Sequence, residues 1–516
     1  MTTQSRTNAA IEGANLIAGT WSPIPGDAIV STMPASPDQI VWSGSSSVEA
    51  VHAAIAAARA ALPVWSATTI DQRVKVLRRF QEIAKSRAEA LGLLISDETG
   101  KALWESNAEA NLVGAKVDIT LEEGEWTGRH RVSNFEFGLN DTKRARCHFQ
   151  PHGVLAVVGP FNFPAHLPNG HIIPALLTGN TIVFKPSDKA PAVGQMLVEM
   201  FRQALEAEGM PAGVINLVHG AVDESIALCT STEVDGVLFT GSWNAGRAIT
   251  QANLDQPGKI IALEMGGNNP AIVMPDADLF QAVVEVTRCA FNTTGQRCTS
   301  TRRLIVHSEV ADKVIPALIK SASNLMIGDP RAPEPVFMGP IISEEALDAV
   351  LKFQERVAQN GGRVLMESTR MPDRDGWFIT PGIVQVDEFT LNCDDAGCDE
   401  EVFGPLLRIS VVDSFDEALK QANATRYGLS ASIFTADDSL QNRFLRECRA
   451  GCRNINCGTA GASSKLPFGG LGLSGNHRPA GAFSLDYTAF PVASMIETGD
   501  ACMIPNGMRV EKNWVS

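Results

Sequence analysis

From residue 154 to residue 265, short apolar-rich runs alternate with helix-forming stretches. VLAVV (154–158), TIVFK (181–185), VINLVHG (214–220), VDGVLFT (234–240) and IIALEM (260–265) are the strand candidates. Helices are expected between them, starting near 166–169, within 191–207 and near 222–230. A strand covered on one face alternates apolar and polar residues, whereas these runs barely alternate, so both faces must be covered. Strands separated by helices then assemble into a mainly parallel sheet with helices on either side. A second alternating region runs from about 271 to 456, with AIVM, RRLIVH, LLRISVV and LSASIFT as its clearest strands. A chain of 516 residues is long enough for two such α/β domains.

The flanking segments differ. Residues 1–45 read as extended and irregular, with Pro23, Pro25, Pro34 and Pro37. Helices are expected over 47–62, 70–94 and 101–122; in the second, Val74, Leu77, Phe80, Ala84 and Leu91 form one buried stripe, with Val76 and Ile83 at its margins. The segment 125–150 has no helical period and suits a hairpin or an excursion. FSLDYTAFPV, near the C-terminus, can supply another strand; it can pair with that excursion within the chain or with another subunit.

A formal net charge of −15 offers no basic footprint for nucleic acid. The RHR and KRAR clusters read as solvated surface. Ten dispersed cysteines do not make an extracellular disulfide framework. Without a charge-free apolar run of membrane length or an N-terminal secretory core, the expectation is a cytoplasmic protein with no membrane partner. Cys448, Cys452 and Cys457 read as helix, core or loop residues, and no metal site is expected.

Several short motifs carry chemistry in combination. After VDGVLFT comes GSWNAG: Gly241 permits a tight exit from the strand, Ser242 offers a hydroxyl, and Gly246 allows close approach early in a helix, whose free N–H groups favour phosphate. Alone, such a motif reads more simply as a structural turn. Gly470, Gly472 and Gly475 spell GxGxxG but lack the strand–turn–helix context, and they suit a turn near an active-site wall. Lys185 and Asp188 in KPSD follow a strand and can contact sugar hydroxyls or phosphate, or simply be solvated. Glu401 in EEVFGP can accept from a ribose, and Phe403 can flank a flat ring or fill the core.

Oxidising an aldehyde by hydride loss is easier once a nucleophile has added to its carbonyl. Such chemistry needs a thiolate, an oxyanion donor, a carboxylate beside water and a hydride acceptor. Cys298 in FNTTGQRCTSTRR is the candidate thiol, with Gly295 giving backbone space and Arg297 favouring the thiolate. Glu264 ends a strand before two glycines and is a candidate general base. Asn162, between Phe161 and Phe163, is a candidate oxyanion donor. Each residue alone has an ordinary structural reading.

Together, GPFNFP, KPSD, FTGSWNAG, LEMGGN, GQRCTS, EEVFGP and PFGGLGLSG occur in an order that resembles the aldehyde dehydrogenase superfamily over about residues 15–495. The resemblance implies a Rossmann-like NAD-binding domain (1–125 and 151–263), an α/β catalytic domain (264–477), a bridging hairpin (126–150), a C-terminal oligomerisation strand (478–498) and a tail (499–516). It implies a homodimer or homotetramer. By the same resemblance, Cys298 is the nucleophile, Glu264 the base for thioester hydrolysis, and Asn162 with the Cys298 N–H the oxyanion site. Lys185 and Asp188 then face the adenosine ribose, Gly241, Ser242 and Gly246 the pyrophosphate, and Glu401 and Phe403 the nicotinamide end, while Phe163 and Phe468 line an aldehyde tunnel. Many relatives carry glutamate where Asp188 stands; an acid there disfavours a 2′-phosphate, so NAD is the expected cofactor.

QPHGVLAVVGPFNFPAHLPNGHIIPALLTGN, ALEMGGNNP and GTAGASSKLPFGGLGLSGNHRPAGAFSLDY resemble, more narrowly, the branch acting on N-succinylglutamate 5-semialdehyde in arginine breakdown. The alternative is an NAD(P)-dependent dehydrogenase of another small semialdehyde. For a substrate with several carboxylates, Arg297, Ser464, Lys465, His477 and Arg478 are candidate donors, and Arg297 can instead bind a structural carboxylate.

Overall fold

The computed structural model describes residues 10–122, 128–500 and 502–515. Two seven-stranded sheets organise the chain. In the first, the strand order is Ile260–Glu264, Gly236–Thr240, Val154–Val158, Thr181–Lys185, Ile215–Leu217, Ala14–Ile17 and Thr20–Pro23. The five later-sequence strands pair in parallel, and the two N-terminal strands extend the edge antiparallel. The parallel order reverses between Val154–Val158 and Gly236–Thr240, so the connections after these two strands diverge and leave a crevice at their C-terminal ends.

Every residue of Val154–Val158 and Thr181–Lys185 is buried, as the continuous apolar runs require. Helix Val48–Ser66 covers one face through Val51, Ala54, Ile55 and Ala58. By length and composition it could also cross a membrane, though it carries Glu49 and Arg59. Helices Ile70–Ser86, Ala88–Thr99, Leu103–Leu121, His166–Leu177 and Pro191–Ala207 contribute to the core on the other face. Ser47 and Thr69 accept from the first-turn N–H groups of their helices; Thr69 forms a reciprocal pair with Gln72.

The second sheet has the order Arg363–Met366, Gly382–Gln385, Leu406–Val412, Thr301–His307, Asn269–Val273, Ser430–Phe434 and Cys452–Ile455. All pairings are parallel except that of Arg363–Met366. Helices Leu279–Phe291 and Ser308–Ser323 cover one face; Glu344–Gln359, Phe415–Ala422 and Asp438–Glu447 cover the other.

Phe135–Gly138, Lys143–Pro151 and Ala489–Glu497 form a separate antiparallel sheet, with Lys143–Pro151 central. The C-terminal strand therefore pairs with the excursion within the chain. Residues 125–127 of that excursion lie outside the described residues. The turn before this strand is stitched to the first domain: Leu485 and Tyr487 enter its core, and Thr178 and Asn180 donate to the Thr488 carbonyl at 2.9 and 2.7 Å.

Three local expectations need correction. Residues 14–44 are not irregular: they form Ala14–Ile17, Thr20–Pro23, Ile29–Met33 and Ser36–Gly44, joined by turns at the glycines and prolines. The stretch 70–94 is broken at Arg87, whose backbone leaves the helical region, so one stripe spans two helices. Val76 is fully buried, whereas Val74 only packs against the margin of the core.

Candidate active site

Four loops meet where the two sheets approach each other. The segment 265–268 joins the last strand of the first sheet to Asn269–Val273 of the second. Its Gly267 N–H donates to Glu401 at 3.0 Å, and a Cβ on Gly267 would lie 2.7 Å from the Cys298 carbonyl oxygen. Asn269 donates to the carbonyls of Cys298 and Ser300, both at 2.8 Å. Asn162 reaches the same loop, donating to the Gln296 carbonyl at 2.9 Å. Phe161 meets Phe403 edge-on, with ring centroids 5.9 Å apart. Cys298, Glu264, Asn162, Glu401 and Phe403, scattered between positions 162 and 403, thus gather around one centre.

The backbone before the thiol is unusual. Thr293 and Thr294 have φ of 50° and 54°, followed by Gly295 at 69°. A left-handed β-branched residue is strained by about 1–3 kcal/mol and persists only where its surroundings hold it. At Gly295 a Cβ would meet the Gly404 carbonyl oxygen at 2.2 Å, so the close approach of the two loops requires glycine. Buried Arg302 fastens the same loops, donating to the carbonyls of Gly404 and Arg297 at 3.0 Å each. Cys298 lies in the turn after this segment, with no helix starting at the thiol.

Burial, with Glu401 and Glu264 nearby, pushes the Cys298 thiol up to about 12, while Arg297 and Arg302 pull the other way. Burial also holds Glu264 well above the ordinary carboxylate range, opposed by a hydrogen bond from the Ala480 N–H. Its Oε2 is buried with no hydrogen-bond partner among the described residues. The glycine-rich turn at 469–475 forms the wall here: a Cβ on Gly469 would lie 2.9 Å from Glu264 Oε1, and Gly475 bridges Glu264.

The other candidates separate into groups. Gly241 and Ser242 stand at the crevice where the first sheet reverses order. Ser242 caps helix Trp243–Ala252 by accepting from Ala245 N, and Gly246 is packed so that a Cβ would meet Met265 Sδ at 2.3 Å. At the end of a neighbouring strand, the buried Lys185 ammonium donates to the Pro186 carbonyl at 3.1 Å; burial lowers its pKa, opposed by nearby Asp188, which is exposed. A strand-end crevice, a helix N-terminus and a buried ammonium fit a dinucleotide.

Arg297 is paired with Glu105 at 2.6 Å and donates to Thr293 Oγ1 at 2.8 Å, so its guanidinium holds a structural carboxylate. Phe163 is half-buried, with the Lys101 ammonium 3.7 Å and the Arg297 guanidinium 5.0 Å from its ring centroid. Phe468 pairs with Ala480 in a two-stranded ribbon, and Ser464 is half-buried beside it. Lys465 lies 3.8 Å from Glu122 on the surface, and Arg478 donates to the His477 carbonyl. Sequence reasoning missed Lys101, Glu105, Glu109 and Arg302. The available signal was the spacing of Glu105 and Glu109, four apart on a helix whose remaining buried residues are largely small or apolar.

The family model described as "Aldehyde dehydrogenase family" matches residues 21–490. This chain belongs to the aldehyde dehydrogenase family. As a member it is an oxidoreductase, and its fold is that of solved aldehyde dehydrogenases. A protein of Novosphingobium aromaticivorans named N-succinylglutamate 5-semialdehyde dehydrogenase is 44% identical over 466 residues, covering 90% of this chain and 95% of that protein. Structurally, PnpE in complex with nicotinamide adenine dinucleotide superposes with a TM-score of 0.89 at 29% identity, covering 97% of this aldehyde dehydrogenase and 100% of PnpE. A glyceraldehyde-3-phosphate dehydrogenase from Methanocaldococcus jannaschii, complexed with NADP, superposes at 0.84 and 29%, covering 92% and 100%.

Proposed function

We propose that this aldehyde dehydrogenase oxidises N-succinyl-L-glutamate 5-semialdehyde to N-succinyl-L-glutamate with NAD, acting as a homo-oligomer in the cytoplasm within arginine catabolism. The likeness to N-succinylglutamate 5-semialdehyde dehydrogenase over nine-tenths of the chain supports the substrate. The convergence of Cys298, Glu264 and Asn162 carries the mechanism.

The chain's own groups divide the work. Cys298 Sγ, after giving its proton to solvent water, adds to the carbonyl carbon. The oxygen gains negative charge and accepts from the Asn162 amide and the Cys298 N–H; the amide has two donors, one of which already holds Gln296. NAD, held by Gly241, Ser242, Gly246, Lys185, Asp188 and Glu401, supplies the two-electron hydride acceptor when bound. Loss of hydride from the Cys298 thiohemiacetal restores the carbonyl as a thioester. Glu264, once ionised, takes a proton from water; the resulting hydroxide attacks the acyl carbon, and the C–S bond breaks to release carboxylate and thiol. Phe163 and Phe468 flank the aldehyde's approach.

Asp188 favours NAD, because a second negative group beside an adenosine ribose 2′-phosphate is repulsive. The exposed edge strand Ala489–Glu497, with Phe490 58% and Met495 77% exposed, is a natural surface for a second subunit. The test is a matrix of semialdehydes against NAD and NADP with product identification. N-succinylglutamate semialdehyde with NAD is expected to give the highest kcat/KM and the free acid. Much higher efficiency with another semialdehyde refutes the substrate, and a coenzyme A thioester product refutes hydrolysis. Cys298→Ser should abolish turnover while leaving cofactor binding intact.

A further inference from the structure

We propose that Glu105 is a positioning residue for Cys298, locking the left-handed turn that aims the thiol; this rests on the reading of Cys298 as nucleophile. Glu105 and Glu109 lie four apart on helix Leu103–Leu121, and their side chains are 1% and 0% exposed. Buried carboxylates need partners, and each of these finds them on a different catalytic loop.

Glu109 accepts from the N–H groups of Ala165 and His166 at 3.0 and 3.1 Å, fixing the segment that follows Asn162 and Phe163. Lys101 neutralises it at 2.6 Å. Glu105 accepts from Thr293 N at 2.8 Å, Thr293 Oγ1 at 2.9 Å and Arg297 at 2.6 Å. Arg297 closes the triangle by donating to Thr293 Oγ1 at 2.8 Å. The backbone that Glu105 grips is the left-handed Thr293–Gly295 turn, a conformation that two threonines do not hold unaided. Both ends of the segment leading to Cys298 are thereby tied to one carboxylate, through Thr293 and Arg297.

The two loops are also joined directly, through the Asn162 amide and the Gln296 carbonyl. One helical face thus sets the position of the oxyanion donor and of the attacking sulfur relative to each other. Small misplacement of reacting groups costs about a hundredfold in rate. The Glu105 carboxylate is buried and taken up by Thr293 and Arg297, so its effect falls on the rate of thiol addition and not on cofactor affinity.

The experiment is rapid-mixing measurement of the NADH burst in Glu105→Gln and Glu105→Ala, with Cys298→Ser alongside. The burst rate constant should fall about tenfold in Glu105→Gln, which keeps one acceptor for Thr293 but loses the pairing with Arg297. It should fall about a hundredfold in Glu105→Ala, while the KM for NAD stays within about twofold of wild type. Loss of amplitude with an unchanged rate constant, or rate constants within about twofold of wild type, overturns the proposal. If Glu105→Ala does not fold, the isosteric glutamine variant decides. A burst that survives in Cys298→Ser removes the nucleophile and the proposal together; a burst lost there but unaffected by the Glu105 variants refutes the proposal alone.

Discussion

Replacing Glu264 by glutamine separates acyl formation from acyl release. The amide fills the same volume, and its carbonyl oxygen can keep the hydrogen bond from the Ala480 N–H, so the wall at 469–480 should hold. What is lost is a group able to remove a proton from water. General-base catalysis is worth about 10²–10⁴ in rate, which raises the barrier to thioester hydrolysis by roughly 3–5 kcal/mol. Thiol addition and hydride loss do not need that base. Rapid mixing should therefore give a burst of NADH approaching one equivalent per active site, then a steady state slower by two to four decades, on the order of those factors. Mass spectrometry of the quenched enzyme should find the acyl group on the peptide containing Cys298. In the wild type, burial holds Glu264 above the ordinary carboxylate range, so its ionised fraction and the rate of acyl release rise with pH through that raised value. The variant should lose this dependence in the release step. An unchanged steady-state rate with no accumulated acyl-enzyme would refute the assignment.

Lys101→Met leaves Glu109 charged and buried without its cation, and chemical denaturation should show a loss of about 3–5 kcal/mol; a midpoint and slope matching wild type would contradict the brace. Asp188→Ala should raise the NADP-to-NAD ratio of kcat/KM, and an unchanged ratio would place the ribose elsewhere. Burial pushes His171 and His219 down to about 3. With folded values below the ordinary 6.5, the stability these histidines contribute is present above pH 6.5 and is lost as pH falls toward 3. The steepest fall, about 1.4 kcal/mol per pH unit for each, is measurable as a drop in denaturation midpoint across that window, and a flat profile would contradict their burial as neutral rings.

Legibility followed burial. VLAVV, TIVFK and LLRISVV were readable as strands with the bounds the structure gives them, because a strand covered on both faces leaves a mostly apolar run, interrupted in LLRISVV by Arg408 and Ser410. The N-terminal strands were not, since Thr20–Pro23 is largely exposed and the run is interrupted by turn residues. The break at Arg87 was invisible because Leu91 continues the stripe of the helix before it. At the site, Cys298, Glu264 and Asn162 could be singled out because glycines and aromatic residues surround them with recurring patterns. Lys101 and Arg302 could not, and Glu105 and Glu109 left only their four-residue spacing as a sign. A charged residue reads as solvated until the fold shows that its partners arrive from segments up to about two hundred positions away.

The segment just before the last strand has a consequence for how the molecule is made. Asn162, Glu264 and Cys298 all lie within the first three hundred residues, yet Leu485 and Tyr487 complete the first core, and Gly469 and Ala480 stand against Glu264. A nascent chain stalled before that point would carry the whole set of reactive groups in an unfinished pocket. Competence therefore arrives late and at once, only when residues 469–487 have been made, so a product truncated before Gly469 should be inert although its reactive side chains are intact.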